Sequence, residues 1–310
     1  MSSSTSTLRA RTTTERRSLA GIAKPEILWA PELNSLDWLV HGFSTRPHGH
    51  STAYSGDSGR KELNLGFTPS DRIANVEKNR AVFLNALMGR RASADLITIS
   101  QVHSDIIHVI SKQPHVSPKG DGIITRTPGL LLGIQTADCV PVLIISAGER
   151  PTVAAFHAGW RGTVKRIVEK GVGTMRMIFG CDSQTMHAVI GPAINQCCYA
   201  VGDEVVEQFR SQFSYSDTLF REVYNKDPIK DKYPLLFMTA RAPGHFNVNS
   251  STHLDLIEAN RRQLLDAGIP VGNIHTVGEC TCCNRDYLWS HRGESGFAGR
   301  MMAVVGIRQS

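Results

Sequence analysis

The chain lacks any uninterrupted apolar run of the roughly 20 residues that a helix needs to cross a bilayer, so a soluble protein without a membrane role is expected. It lacks a basic run with interleaved aromatics. The formal charge of +6 comes from 34 basic minus 28 acidic residues. Half of that surplus lies in the first 20 residues, where Arg9, Arg11, Arg16 and Arg17 face Glu15 alone. The remainder is scattered, and no nucleic-acid partner is expected. The seven cysteines form no spaced disulfide framework, so reduced thiols and a cytoplasmic location fit best. Residues 1–23 lack both periodicity and an apolar h-region; they read as a disordered basic tail or an Arg- and Ser-rich transit segment, not a secretory signal. With no internal repeat and no linker, residues 24–310 read as one catalytic domain.

What is present is an ordinary globular composition, 41% hydrophobic and 20% charged, over a length sufficient for a large core. Short apolar, often β-branched runs predict strands at 96–99, 106–110, 130–134, 140–145, 153–156, 188–190 and 301–307. Helical stripes alternate with them. Ser70 is the expected cap of a helix stopped by Gly89, Thr163 the cap of a second, and a third is expected over 253–267 with Gly268 as its stop. The polar stretch 214–247 carries Pro228, Pro234 and Pro243 and reads as a loop or insertion. The fold class is α/β: a single compact domain with mixed β-sheets sandwiched by helices.

Three segments place a metal-ligand residue type beside a strand-like run: Gln101-Val-His103-Ser104, Thr136-Ala-Asp138-Cys139 and Phe156-His157-Ala-Gly-Trp-Arg-Gly162. Imidazole nitrogen and thiolate sulfur together suit zinc, and three protein ligands leave a fourth position open. Taken singly, Cys139 also reads as a small buried hydrophobe, and either histidine as a satisfied loop residue. Trp160 is a candidate to stack on a flat ring or to pack in the core. Cys280 and Cys283 have the C-x-x-C spacing of redox or metal sites. A single such pair is weak evidence, and burial is the simpler reading for it and for Cys282. Cys197 and Cys198 read as packing residues.

The ordered strings His41-Gly-Phe-Ser-Thr-Arg46, Leu63-Asn64-Leu-Gly66, Gln101-Val-His-Ser104, Asp121-Gly-Ile-Ile-Thr125, Thr136-Ala-Asp-Cys-Val-Pro-Val142, His157-Ala-Gly-Trp-Arg-Gly162, Ile190-Gly-Pro-Ala-Ile194 and Ser290-His-Arg292 closely resemble the YfiH-type family. Its members, long labelled multicopper polyphenol oxidases or laccase-domain proteins, are regarded as purine nucleoside phosphorylases. The resemblance spans residues 41–307.

It implies a metal triad of His103, Cys139 and His157, with zinc as the metal and copper the less favoured one. It also implies phosphorolysis of adenosine, inosine, guanosine and methylthioadenosine, together with adenosine deamination. The expected partners are purine nucleosides and phosphate, and the expected state is a monomer or weak homodimer. Arg46, Arg161 and Arg292 are candidates for the phosphate-binding guanidinium forks. Asn64 and Gln101 are candidates to hydrogen-bond base or ribose, Asp138 to orient a histidine ligand, and His291 to build the pocket; each has a structural alternative. Rival functions are a peptidoglycan-precursor editing hydrolase, a copper-dependent polyphenol oxidase, and a non-catalytic metal- or partner-binding protein. Against the oxidase, the only His-x-His spacing is His48-Gly-His50, outside the triad motifs.

Overall fold

In a strand, successive side chains alternate between faces, so a run that is apolar at every position must be covered on both sides. The computed structural model describes residues 24–89, 94–224 and 250–309, and its two large sheets follow from that rule. The first sheet runs in the order β1 (Ile27–Leu28), β2 (Leu39–Ser44), β15 (Met301–Ile307), β7 (Leu130–Thr136) and β4 (Asp95–Thr98). The second runs β14 (Ile274–Thr276), β10 (Met186–Ile190), β8 (Val140–Ser146), β9 (Thr152–Ala158), β6 (Gly122–Thr125) and β5 (Ile107–Val109). Both sheets are mixed: β4 is parallel to β7 and β5 to β6, while β7–β15 and β8–β9 are antiparallel. Strand β3 (Pro47–Ser51) only bridges to Glu62. A small third sheet orders β11 (Ala200–Val201), β13 (Ser250–Leu254) and β12 (Phe220–Tyr224).

The alternation within each strand sorts the core into layers. Leu143 and Ile145 of β8 and Val153 and Ala155 of β9 share one cluster with Leu132, Ile134 and Val305 of the first sheet. The intervening Val142, Ile144, Ala154 and Phe156 point the other way, onto α3 (Ile167–Phe179) and α5 (Leu256–Asp266). On the far side of the first sheet, Val40, Leu131 and Val304 pack on Phe83 of α1 (Ile73–Met88). Helix, sheet, sheet and helix therefore stack in one domain, as the apolar runs predict. The short α2 (Trp160–Val164) and α4 (Asp203–Gln212) complete the helices of the described residues.

Several boundaries depart from expectation. Helix α1 is capped at Arg72 without a side-chain bond, and Ser70 is not its cap. Asp71 instead accepts from Ser51, Asn64 and Asn75 and fixes the entry to the helix. The segment expected to begin at Thr163 starts at Trp160 and breaks at Arg166, whose left-handed backbone (φ 61°) turns α2 into α3. Residues 250–254 pair with β12 as a strand. Helix α5 consequently begins only after Asp255, whose carboxylate accepts from the Glu258 amide at 2.9 Å. Within 214–247, residues 220–224 form β12; the part from 225 lies outside the described residues, as does the 1–23 tail.

Candidate metal centre

The two sheets meet at β7 and β8, and the turn between these strands carries Cys139. Asp138 in that turn has φ 93°, a conformation uncommon for a residue with a side chain. His103 follows β4, also with a left-handed backbone (φ 58°). His157 lies inside β9, buried, and not in the loop beyond it as expected. The donor atoms of His103, Cys139 and His157 fall within 4.8 Å of one another. Cys139 Sγ is 3.9 Å from His103 Nε2, and the two imidazole rings meet edge to face with centroids 4.8 Å apart. Gly159 is required at close range: a Cβ there would sit 3.0 Å from Cys139 Sγ and 3.2 Å from His103 Cδ2.

One buried carboxylate organises the group. Asp121 Oδ1 accepts from His157 Nδ1 at 2.8 Å and from the His103 amide at 3.0 Å. Its Oδ2 accepts from the Ser104 amide and hydroxyl at 2.6 and 2.7 Å. With Nδ1 donating, His157 presents Nε2 as the nitrogen available to a metal. The charges reinforce one another. Burial opposes ionisation of Asp121, but the hydrogen bonds from His157 and Ser104 outweigh it and hold the carboxyl well below its usual range. Burial likewise favours the neutral forms of Cys139 and His157. The charge of His157 and the bonds from both imidazoles nevertheless bring the Cys139 thiol down to about 6. The Cys139 charge and the Asp121 bond raise His157 to about 9. The imidazoles around Cys139 thus favour its thiolate, which is the form that ligates metals.

The group opens into a cavity of about 510 Å³, lined also by Gln101, Gln135, Tyr199, His291, Arg292 and Arg300. The volume lies within the usual range for small-molecule sites. Among the arginines expected at phosphate, only Arg292 lines it; one guanidinium nitrogen donates to the Ala200 carbonyl at 2.9 Å, and the side chain is exposed. Arg46 is elsewhere. It is buried, paired at 2.8 Å with both Glu62 and Glu294, and lies over the Trp289 ring, so its donors are committed to structure. Arg161 is exposed and stacks on Trp160 outside the lining.

Asn64 does not reach the cavity either. Its amide donates to Gly66 and Asp71 and accepts from the Gly66 and Arg300 amides, which makes it a support for Arg300. Gln101 lines the cavity with its amide bonded to both backbone groups of Gln135. His291 lines it too. Asp138 orients no histidine, a role that falls to Asp121. Its carboxylate accepts from Thr281, Ser290 and the Arg292 amide, pinning the 281–292 segment against the cavity. Tyr199, Gln135 and Arg300 belong to the lining without having been expected there. The string Asp121-Gly-Ile-Ile-Thr125 marks the segment of Asp121, but only the fold brings it to His157, 36 residues away. Burial and the Cys139 charge keep the Tyr199 hydroxyl protonated, against the opposing charges of Arg292 and Arg161.

This arrangement belongs to a chain whose residues 40–308 match the family model described as multi-copper polyphenol oxidoreductase laccase. The chain is a member of that family. It is 35% identical over 282 residues to a purine nucleoside phosphorylase of Deinococcus radiodurans, covering 91% of this chain and 92% of that one. It is 33% identical over 221 residues to adenosine deaminase RL5 from an unknown prokaryotic organism, covering 68% and 74%. The crystal structure of the hypothetical protein YfiH from Bacillus licheniformis superposes with a TM-score of 0.74 at 29% identity, covering 93% of this chain and 98% of that one. The relatives' names support an enzyme of nucleoside chemistry. No helix among the described residues is long and apolar enough to cross a membrane.

Proposed function

We propose that this chain is a zinc-dependent purine nucleoside phosphorylase that also deaminates adenosine, acting on purine nucleosides and phosphate in a reducing, cytoplasmic compartment. The reading rests on one observation: two imidazoles and a thiol converge in a cavity also lined by Arg292, Arg300, Tyr199 and His291. The donor set fits zinc, and three protein ligands are the pattern of a site that keeps one position open. When bound there, zinc supplies Lewis acidity at the cavity floor.

The chain's own residues do the rest. Asp121 fixes the ring and tautomer of His157, and by accepting from the Val102, His103 and Ser104 amides and the Ser104 hydroxyl it fixes the 102–104 turn that carries His103. Arg292 and Arg300, both in the cavity lining, offer cationic donors for phosphate. The protonated Tyr199 hydroxyl is a donor to a substrate oxygen or ring nitrogen. In phosphorolysis a phosphate oxygen bonds to the anomeric carbon while the bond from that carbon to the purine nitrogen breaks. The electron pair leaves on the base, which takes up a proton. For the copper oxidase suggested by the family's older name, the triad's two are the only histidines that the described residues bring into a group of three or more possible ligands; His187 and His275 meet only as a pair, at 3.5 Å.

The test is phosphate-dependent turnover of adenosine and inosine by zinc-loaded protein beside Cys139→Ala. The expected outcome is release of adenine or hypoxanthine with sugar phosphate, lost at least 100-fold in the variant. Zinc-loaded protein that neither releases base nor deaminates would overturn the assignment and leave precursor editing or a non-catalytic role.

A further inference from the structure

A second cluster of potential ligands lies outside the triad. Cys197 and Cys198, in the turn before Tyr199, meet Cys280 and Cys283, which are brought together by a tight turn in which the Asn284 amide donates to the Cys280 carbonyl at 3.1 Å. All four sulfurs lie within 4.8 Å of one another. The measured separations are 3.7 Å for Cys197–Cys198, 3.6 Å for Cys197–Cys283 and 3.4 Å for Cys198–Cys283. These are too long for a disulfide, whose sulfurs are about 2.05 Å apart. They are close to the edge of a tetrahedron with a cation at its centre, about 3.8 Å for a zinc–sulfur bond of about 2.3 Å. The burial reading of these residues therefore fails for Cys197 and Cys283, which are exposed, and holds only for Cys280.

We propose that Cys197, Cys198, Cys280 and Cys283 form a tetrathiolate site for one structural zinc ion. Four protein ligands close the coordination sphere, which is the pattern of structural rather than catalytic zinc. The all-sulfur set selects a thiophilic ion over magnesium or calcium. A multi-iron cluster distributes its cysteines over separate irons, and four sulfurs this close enclose a single ion. The Asn195 amide donates to Cys280 Sγ at 3.4 Å, a contact that a buried thiolate accepts. The exposed edge at Cys197 and Cys283 gives the ion a path from solvent. Cys282, in the same turn, lies outside the group.

The consequence is a cross-link between two walls of the cavity. One strap carries Ile194 and Tyr199; the other carries Thr281, bonded at 2.6 Å to Asp138, and leads to His291 and Arg292. The straps also meet where Thr281 N donates to the Ala193 carbonyl at 3.0 Å and Arg292 to the Ala200 carbonyl at 2.9 Å. An ion here would brace the contact in which the Arg292 guanidinium lies 5.5 Å from the Tyr199 ring centroid and donates to the Ala200 carbonyl. This site shares no ligand with the triad and does not rest on the reaction proposed for it.

The test is made in the Cys139→Ala chain, so that triad zinc is disabled. The full-length protein, purified under reducing conditions without chelator, is expected to hold one zinc per chain, with four sulfur neighbours by X-ray absorption. Adding Cys197→Ser and Cys283→Ser should remove that ion; adding Cys282→Ser should leave it. Should the chain with Cys197→Ser and Cys283→Ser misfold, titration of the folded Cys139→Ala chain with an organomercurial decides: zinc must be released in step with thiol modification. A metal-free Cys139→Ala chain, an ion with nitrogen or oxygen neighbours, or a mass deficit showing a disulfide among these cysteines would each overturn the site.

Discussion

Protons and metal compete for the same atoms at His157 and Cys139. Zinc needs a neutral imidazole and a thiolate. Without metal, His157 holds its proton up to about pH 9, whereas Cys139 has already lost its own above about 6. Between these values one proton, that of His157, must leave when the ion enters. Its raised pKa therefore favours the apo form at lower pH, and the disadvantage disappears as pH rises through 9. The triad's apparent zinc affinity, taken as the difference between wild type and Cys139→Ala in competition titrations, should rise about tenfold per pH unit from 6.5 to 8.5. A flat profile would mean that His157 is neutral before binding. Asp121 sets this balance. Asp121→Asn keeps one acceptor oxygen and puts an NH2 in place of the other, so it faces either the His157 and His103 donors or the Val102 and Ser104 donors with a group that cannot accept. Loss of such a supporting carboxylate typically costs about 10- to 100-fold in metal affinity or activity. Unchanged zinc affinity in Asp121→Asn would refute its organising role.

Among the elements, α3 shows how close packing decides the effect of a single methyl group. Phe156 of β9 presses its ring against Gly171, where a Cβ would lie 2.2 Å from Cζ, while Gly173 two residues on has open space. Alanine gains up to about 1 kcal/mol over glycine in a helix interior, but forcing a methyl into a filled core costs about 1–3 kcal/mol. Gly171→Ala is thus expected to lower Tm and Gly173→Ala to raise it, each by a few degrees; calorimetry of both variants checks the contrast, and equal shifts would contradict it. Periodicity could find β7, β8, β9 and β15, because strands covered on both faces read as unbroken apolar runs. It could not find β11 to β13, where exposed residues such as Arg221 and Glu222 break any such run. The break at Arg166 was equally hidden, since Val164, Ile167 and Val168 keep helical spacing across a left-handed residue. The triad was legible through its ordered motifs. Its support by Asp121, and the misplacement of Arg46 and Asn64, depend on contacts between residues far apart in sequence, such as Arg46 with Glu294.

Across the whole molecule, the triad draws its ligands from both sheets: His103 from the end of β4, Cys139 from the β7–β8 turn, and His157 from β9. An ion at that point joins the two layers where the sandwich opens, so it binds the folded chain and not the separated segments. Mass action then makes zinc a stabiliser: free ion at about 100 times its dissociation constant adds about 2.7 kcal/mol. At no more than about 2–4 °C per kcal/mol, the range for somewhat shorter chains, the triad ion alone should account for up to roughly 5–10 °C of the Tm that wild type loses when a chelator strips it. Cys139→Ala removes the ligand that sits between the sheets, so chelation of that variant should cost less by the triad's share, and any drop that remains belongs to the thiolate group at Cys197, Cys198, Cys280 and Cys283. Scanning calorimetry of both chains with and without chelator separates the two contributions. Equal drops in the two proteins would mean that the triad ion adds nothing to stability, and that the layers are held at this end by the Asp121 and Asp138 hydrogen bonds alone.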